Sequence, residues 1–97
     1  MPAYVILYKF TQQGLANAKR LPERIKQAKA LTEQMGGRTI GVWLTMGEFD
    51  MIAIAEGPDD LSAAARLLMT GATGEFTTVT LKAFSEDELA QIVSKLP

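Results

Sequence analysis

The chain has 97 residues, 47% of them hydrophobic and 22% charged, which is the composition of a folding globular domain and excludes a disordered one. Net charge is −1 and the isoelectric point about 5.3, with Lys and Arg scattered among Asp and Glu, so no basic surface is offered to a phosphate backbone and nucleic acid is not expected as a partner. There is no Cys and no His, which excludes disulfides, thiol nucleophiles, imidazole bases and the usual zinc, haem and copper ligand sets; neither a cofactor nor a metal is expected.

A chain of this size buries only about two-thirds of the surface it exposes when unfolded, so its core is thin and a second subunit would help it. No apolar run approaches the roughly 20 residues that cross a bilayer, and no basic segment followed by an apolar stretch opens the chain. Membrane is therefore not expected as a partner, and a cytoplasmic location is.

In chain order, residues 3–10 are apolar on both alternating sets, Tyr4, Ile6, Tyr8 and Phe10 on one and Val5 and Leu7 on the other. A strand apolar on both sides is normally covered on both sides. Thr11-Gln12-Gln13-Gly14 reads as a turn, with Gly14 able to take a positive φ. Residues 15–20 form at most a preliminary turn of helix that Pro22 interrupts. Over residues 21–35 the apolar positions fall on one helical stripe (Leu21, Ile25, Ala28, Leu31, Met35), opposite Glu23, Lys26, Lys29 and Glu33. Pro22 suits the first helical turn and Gly36-Gly37 a left-handed cap.

Residues 38–46 return to period two, with Ile40, Val42, Leu44 and Met46 against Thr39, Gly41, Trp43 and Thr45. Gly47-Glu48-Phe49-Asp50 then makes a tight turn into a strand over residues 51–56. Gly57-Pro58-Asp59-Asp60 starts a helix carrying Leu61, Ala64, Ala65, Leu68 and Met69, expected to end at Gly71. Gly71-Ala72-Thr73-Gly74 follows a helix instead of preceding one, so it is a connection and not a phosphate loop. Residues 75–84 form the last strand. Ser85 and Glu88 make a capping box for a terminal helix with Leu89, Ile92, Val93 and Leu96 on one stripe.

The order β-α-β-β-α-β-α predicts an α+β, ferredoxin-like sandwich: one domain over residues 1–97, with two helices covering one face of a four-stranded antiparallel sheet and a spare C-terminal helix. The other face is left open, and the alternation places Trp43, Phe49 and Met51 there, with Thr78, Thr80 and part of the first strand. At about 25 cal/mol per Å², sheltering a few hundred Å² of such surface contributes several kcal/mol to association. A sheet-to-sheet homodimer is expected, enclosing either a dry core or a small-molecule cavity between the sheets.

The candidate ligand-binding residues are Trp43, Phe49, Asp50, Tyr8, Thr80 and Lys82. Trp43 serves equally as a stacking surface or as a dimer anchor. Asp50 either braces the hairpin by accepting backbone N–H bonds or presents a carboxylate at a cavity mouth. Lys82 shares a face with Thr78 and Thr80, and either meets an anion or lays its stem over an apolar neighbour. Tyr4 and Tyr8 supply a phenol or simply pack. The acids at 86–88 are explained by capping and the helix dipole.

The chain resembles the GYD domain family, small proteins of the dimeric α/β barrel class named for a glycine-tyrosine-aspartate turn. The resemblance rests on Gly47-Glu48-Phe49-Asp50, with Phe49 where tyrosine is usual. It extends through Tyr4-Val5, Phe10-Thr11, Gly14, Pro22-Glu23-Arg24, Gly36-Gly37, Pro58-Asp59-Asp60 and Phe84-Ser85-Glu86-Asp87-Glu88. It implies the dimeric fold and brings no agreed reaction. The central hairpin and next helix also look like the ligand-sensing RAM domain of Lrp-type regulators, although no helix-turn-helix accompanies them here. The expected function is small-molecule binding or oligomerisation. The alternative is a cofactor-independent enzyme, similar to the monooxygenases and isomerases of the same barrels, using Trp43, Asp50 and Tyr8 on a small hydrophobic substrate.

Overall fold

In the computed structural model, which describes residues 1–97, β1 (Ala3–Phe10) runs antiparallel between β3 (Met51–Glu56) and β4 (Phe76–Ala83). β2 (Arg38–Leu44) pairs with the far side of β3, giving a four-stranded sheet of order β2-β3-β1-β4. Helix α2 (Leu21–Gln34) packs on β2 and α3 (Asp60–Ala72) on β4, and α4 (Glu86–Val93) follows the last strand. This is the ferredoxin-like α+β arrangement that the order of elements predicts. No helix is long and apolar enough to cross a membrane.

Register decides which side chains go under the helices. Tyr4, Ile6 and Tyr8 of β1 stand opposite Ala55, Ala53 and Met51 of β3, and opposite Lys82, Thr80 and Thr78 of β4. Tyr4, Ile6, Met51 and Ala53 are the buried hydrophobic residues, with Met51 only 5% exposed. The expectation that Met51, Thr78 and Thr80 lie on the open face is thus overturned: cross-strand neighbours share a face, and Met51 and Thr78 are both partners of Tyr8. The open face instead carries Val5, Leu7, Ile52, Ile54, Val79 and Leu81, together with Trp43 opposite Ile52. A register shift between Thr39 and Gly41 sets Ile40 outside the alternation. Past it Val42 faces α2 and Trp43 faces away, whereas an unbroken period of two would put Ile40 and Val42 together.

The caps are local, and those at the start of α4 and the end of α2 are the ones the sequence predicts. Asp59 accepts the Ser62 N–H at 2.7 Å to start α3, and Ser85 and Glu88 exchange bonds of 3.0 and 3.1 Å to start α4. Gly36 has a φ of +86° just past α2, the left-handed cap its position calls for.

Three other local expectations are corrected. Residues 11–14 are not a turn: Thr11 caps a short helix, α1 (Gln12–Ala16), by accepting the Gly14 N–H at 3.1 Å. Gly14 is required for space, since a Cβ there would stand 2.2 Å from the Glu75 carbonyl oxygen. A single 3-10 turn, Ala18–Arg20, leads into α2, with Pro22 in its first turn. At the other end α3 continues past Gly71 to Ala72, and the positive φ falls at Gly74, +74°. The β2–β3 connection is also wider than a tetrapeptide: Thr45 closes it by donating its N–H to the Asp50 carbonyl at 2.9 Å and its hydroxyl to the Phe49 carbonyl at 2.6 Å.

Candidate functional site

Two surfaces of the sheet differ in character. The open side is aliphatic and has no cover within the chain: Val79, Leu81 and Trp43 are each about half exposed, Trp43 at 49%. Beyond its edge α4 carries Leu89, Ile92 and Val93, all exposed. The helix side contains a cavity of about 330 Å³ between the sheet and helices α2 and α3. That volume is at the lower end of small-molecule sites. Its floor includes Ile6, Tyr8, Met51 and Thr80, and its roof Ile25, Leu31, Arg66 and Leu67.

The charged groups around this cavity are arranged in sequence-distant pairs. At one end Tyr4 donates a 2.5 Å hydrogen bond to Oδ1 of Asp60, whose Oδ2 accepts from Lys82 at 2.8 Å. Burial, then the Asp60 carboxylate, push the Tyr4 phenol up to about 12, while the Lys82 ammonium and the Tyr4 hydroxyl hold Asp60 below the usual carboxylate range. At the other end Arg24 forms an ion pair with Glu75, which is 5% exposed. Between them Arg66 donates to the Thr70 hydroxyl at 3.2 Å and to the Ala28 carbonyl at 3.3 Å, and its Nε is buried with no partner. Burial raises the Tyr8 phenol, and the Arg66 charge opposes that rise.

The six residues expected to bind a ligand do not gather at one point. Tyr8 and Thr80 line the helix-side cavity. Lys82 is engaged by Asp60. Asp50 stands at the start of β3, where its carboxylate accepts the Phe10 N–H at 2.9 Å and its own N–H donates to the Tyr8 carbonyl at 2.8 Å. Phe49 lies in the loop beneath the Lys9 ammonium, 5.4 Å from the ring centroid. Trp43 is on the opposite face of the sheet from Tyr8 and Thr80.

Sequence reading missed Asp60, Arg66 and the Arg24–Glu75 pair. Arg66 had a signal: it is the only cation in α3, an otherwise Ala- and Leu-rich helix. Nowhere do three or more acidic side chains come together as a metal site.

The fold and this sheet define a small ferredoxin-like α+β protein with one helix-covered and one open face. The GYD domain model matches residues 4–93, so the chain belongs to the GYD domain family. It is also similar to the "Glutamine synthetase and cystathionine beta-lyase binding protein" of Thermus thermophilus, 27% identical over 97 residues that cover 99% of each chain. Among solved structures it is similar to the crystal structure of FFRP-DM1, with a TM-score of 0.63 and 17% identity over 87% of this chain and 100% of that one. At that identity the likeness speaks for the fold.

Proposed function

We propose that this protein is a non-catalytic protein-binding module of the cytoplasm, a homodimer joined through the open faces of its sheets, which docks on metabolic enzymes. The observation that carries this reading is the composition of the open face. Val5, Leu7, Ile52, Ile54, Val79 and Leu81 form an aliphatic layer that runs across the sheet to Trp43 on the β2 edge, and the chain provides nothing to cover it. Contiguous apolar surface of this kind marks an interface. The exposed apolar stripe of α4 offers a second contact, to the partner subunit or to a docked enzyme. The full-length similarity to a protein named for binding glutamine synthetase and cystathionine β-lyase supports enzymes as the docked class.

Light scattering tests the dimer: the expected mass is twice the 10.5 kDa of one chain, with Trp43 fluorescence shielded from acrylamide. Leu81 is 51% exposed in the single chain, so Leu81→Lys should dissociate the dimer and expose Trp43 while leaving helix content intact. A monomer in the wild-type protein at micromolar concentration rules the dimer out. Titration of the dimer into purified glutamine synthetase and cystathionine β-lyase of the same host tests docking, and binding to neither removes these enzymes as partners.

A further inference from the structure

We infer that the cavity between the sheet and helices α2 and α3 is a binding site for a small amphipathic monocarboxylate, with Arg66 holding the carboxylate and the apolar walls holding the rest. This site is on the opposite side of the sheet from the open face, so the inference stands apart from dimer formation.

Three observations converge on it. Arg66 lines the cavity, and its guanidinium meets no carboxylate: the ion pairs of the chain are Arg24–Glu75, Arg38–Glu56 and Lys82–Asp60. Its two hydrogen bonds go to neutral oxygens at 3.2 and 3.3 Å, the long end of the range, and its Nε is buried without any partner. A half-buried guanidinium without a counter-ion is costly, and a guanidinium is the donor whose fork matches a carboxylate.

Secondly, the one buried acid is already committed. Glu75 is engaged by Arg24, and Asp60 by Tyr4 and Lys82, so the protein supplies no anion of its own to Arg66. An incoming carboxylate meets the unpaired, half-buried Arg66 guanidinium, with the Tyr8 phenol lining the same cavity as a further donor; Lys29, the other lining cation outside the ion pairs, is exposed on α2.

The walls set the remainder of the ligand. Ile6, Ile25, Leu31, Met51 and Leu67 are apolar and without charge, which favours an alkyl or aryl body over a second polar group. The cavity of about 330 Å³ accommodates a body of medium length.

The probe is octanoate, compared with octan-1-ol, titrated into the intact protein and followed by methyl NMR. The expected result is saturable shifts of the Ile6, Leu31 and Met51 methyls, with octanoate binding at least tenfold tighter than the alcohol. In Arg66→Met, which keeps the length and removes the charge, the two should bind within about twofold of each other. The inference is overturned by equal affinity in the wild-type protein, by no binding of either probe, by shifts confined to Ile52, Ile54 and Val79 on the open face, or by a preference that survives in Arg66→Met. Should Arg66→Met fail to fold, the wild-type comparison and its methyl map decide alone.

Discussion

Tyr4 and Asp60, 56 positions apart, share a 2.5 Å hydrogen bond that ties the first strand to the opening turn of α3, and Lys82 from β4 grips the other oxygen of the same carboxylate. The central strand, an edge strand and a helix start are thereby joined through one side chain.

A pH dependence follows from the Tyr4 end of that link. The phenol titrates at about 12 in the folded chain against 10.0 when free, so the folded state keeps a proton that the unfolded chain releases between those values. Its contribution to stability is complete below pH 10 and disappears as pH rises through about 12. Denaturant midpoints measured across this window should fall steeply in the wild-type protein and more gently in Tyr4→Phe. Some slope remains, because burial raises Tyr8 as well. Identical slopes in the two proteins would remove the link from any role in stability.

Asp50 holds the hairpin to β1 through the Phe10 N–H. Asp50→Ala strands that donor, which is expected to cost about 1–3 kcal/mol in urea unfolding. Asp50→Asn keeps an accepting oxygen and should cost less than half as much. A neutral Asp50→Ala would show that water replaces the carboxylate.

Two glycines that both sit in helices are predicted to respond in opposite directions. Gly14→Ala drives a Cβ to 2.2 Å from a backbone oxygen of Glu75 and is expected to destabilise by about 3 kcal/mol. At Gly71 nothing lies within 4 Å of the added methyl, so Gly71→Ala should stabilise by about 0.5 kcal/mol through helix propensity. Thermal melts of the two variants against wild type give the sign of each directly. Equal shifts would contradict the packing at Glu75.

Arg24→Met leaves the Glu75 carboxylate buried without its cation. The expected cost is about 2 kcal/mol, below the roughly 3–5 kcal/mol of a fully enclosed pair, since the Arg24 side chain is 34% exposed. Adding Glu75→Gln to Arg24→Met should recover most of the loss. A double variant no more stable than Arg24→Met alone would mean that the guanidinium matters by its packing and not by its charge.

What the sequence determined by itself was everything set within a few residues. The element order came from the change of period between residues 10 and 21 and again near 38. The start of α3 came from the run Gly57-Pro58-Asp59-Asp60, that of α4 from Ser85, and the end of α2 from Gly36. Each is a local bond or a local φ, so local sequence suffices. Tertiary structure decided which side of each strand is covered. Alternation sorts residues into two sets without saying which set faces the helices, and in this chain the more aliphatic set, Ile52, Ile54, Val79 and Leu81, faces away. The pairing of Met51 with Tyr8 and the irregularity at Thr39 and Gly41 settle that choice. Only the fold could bring Tyr4 to Asp60 and Arg24 to Glu75, or leave Arg66 between them without an anion, because side chains so far apart in sequence meet only through the sheet that carries them.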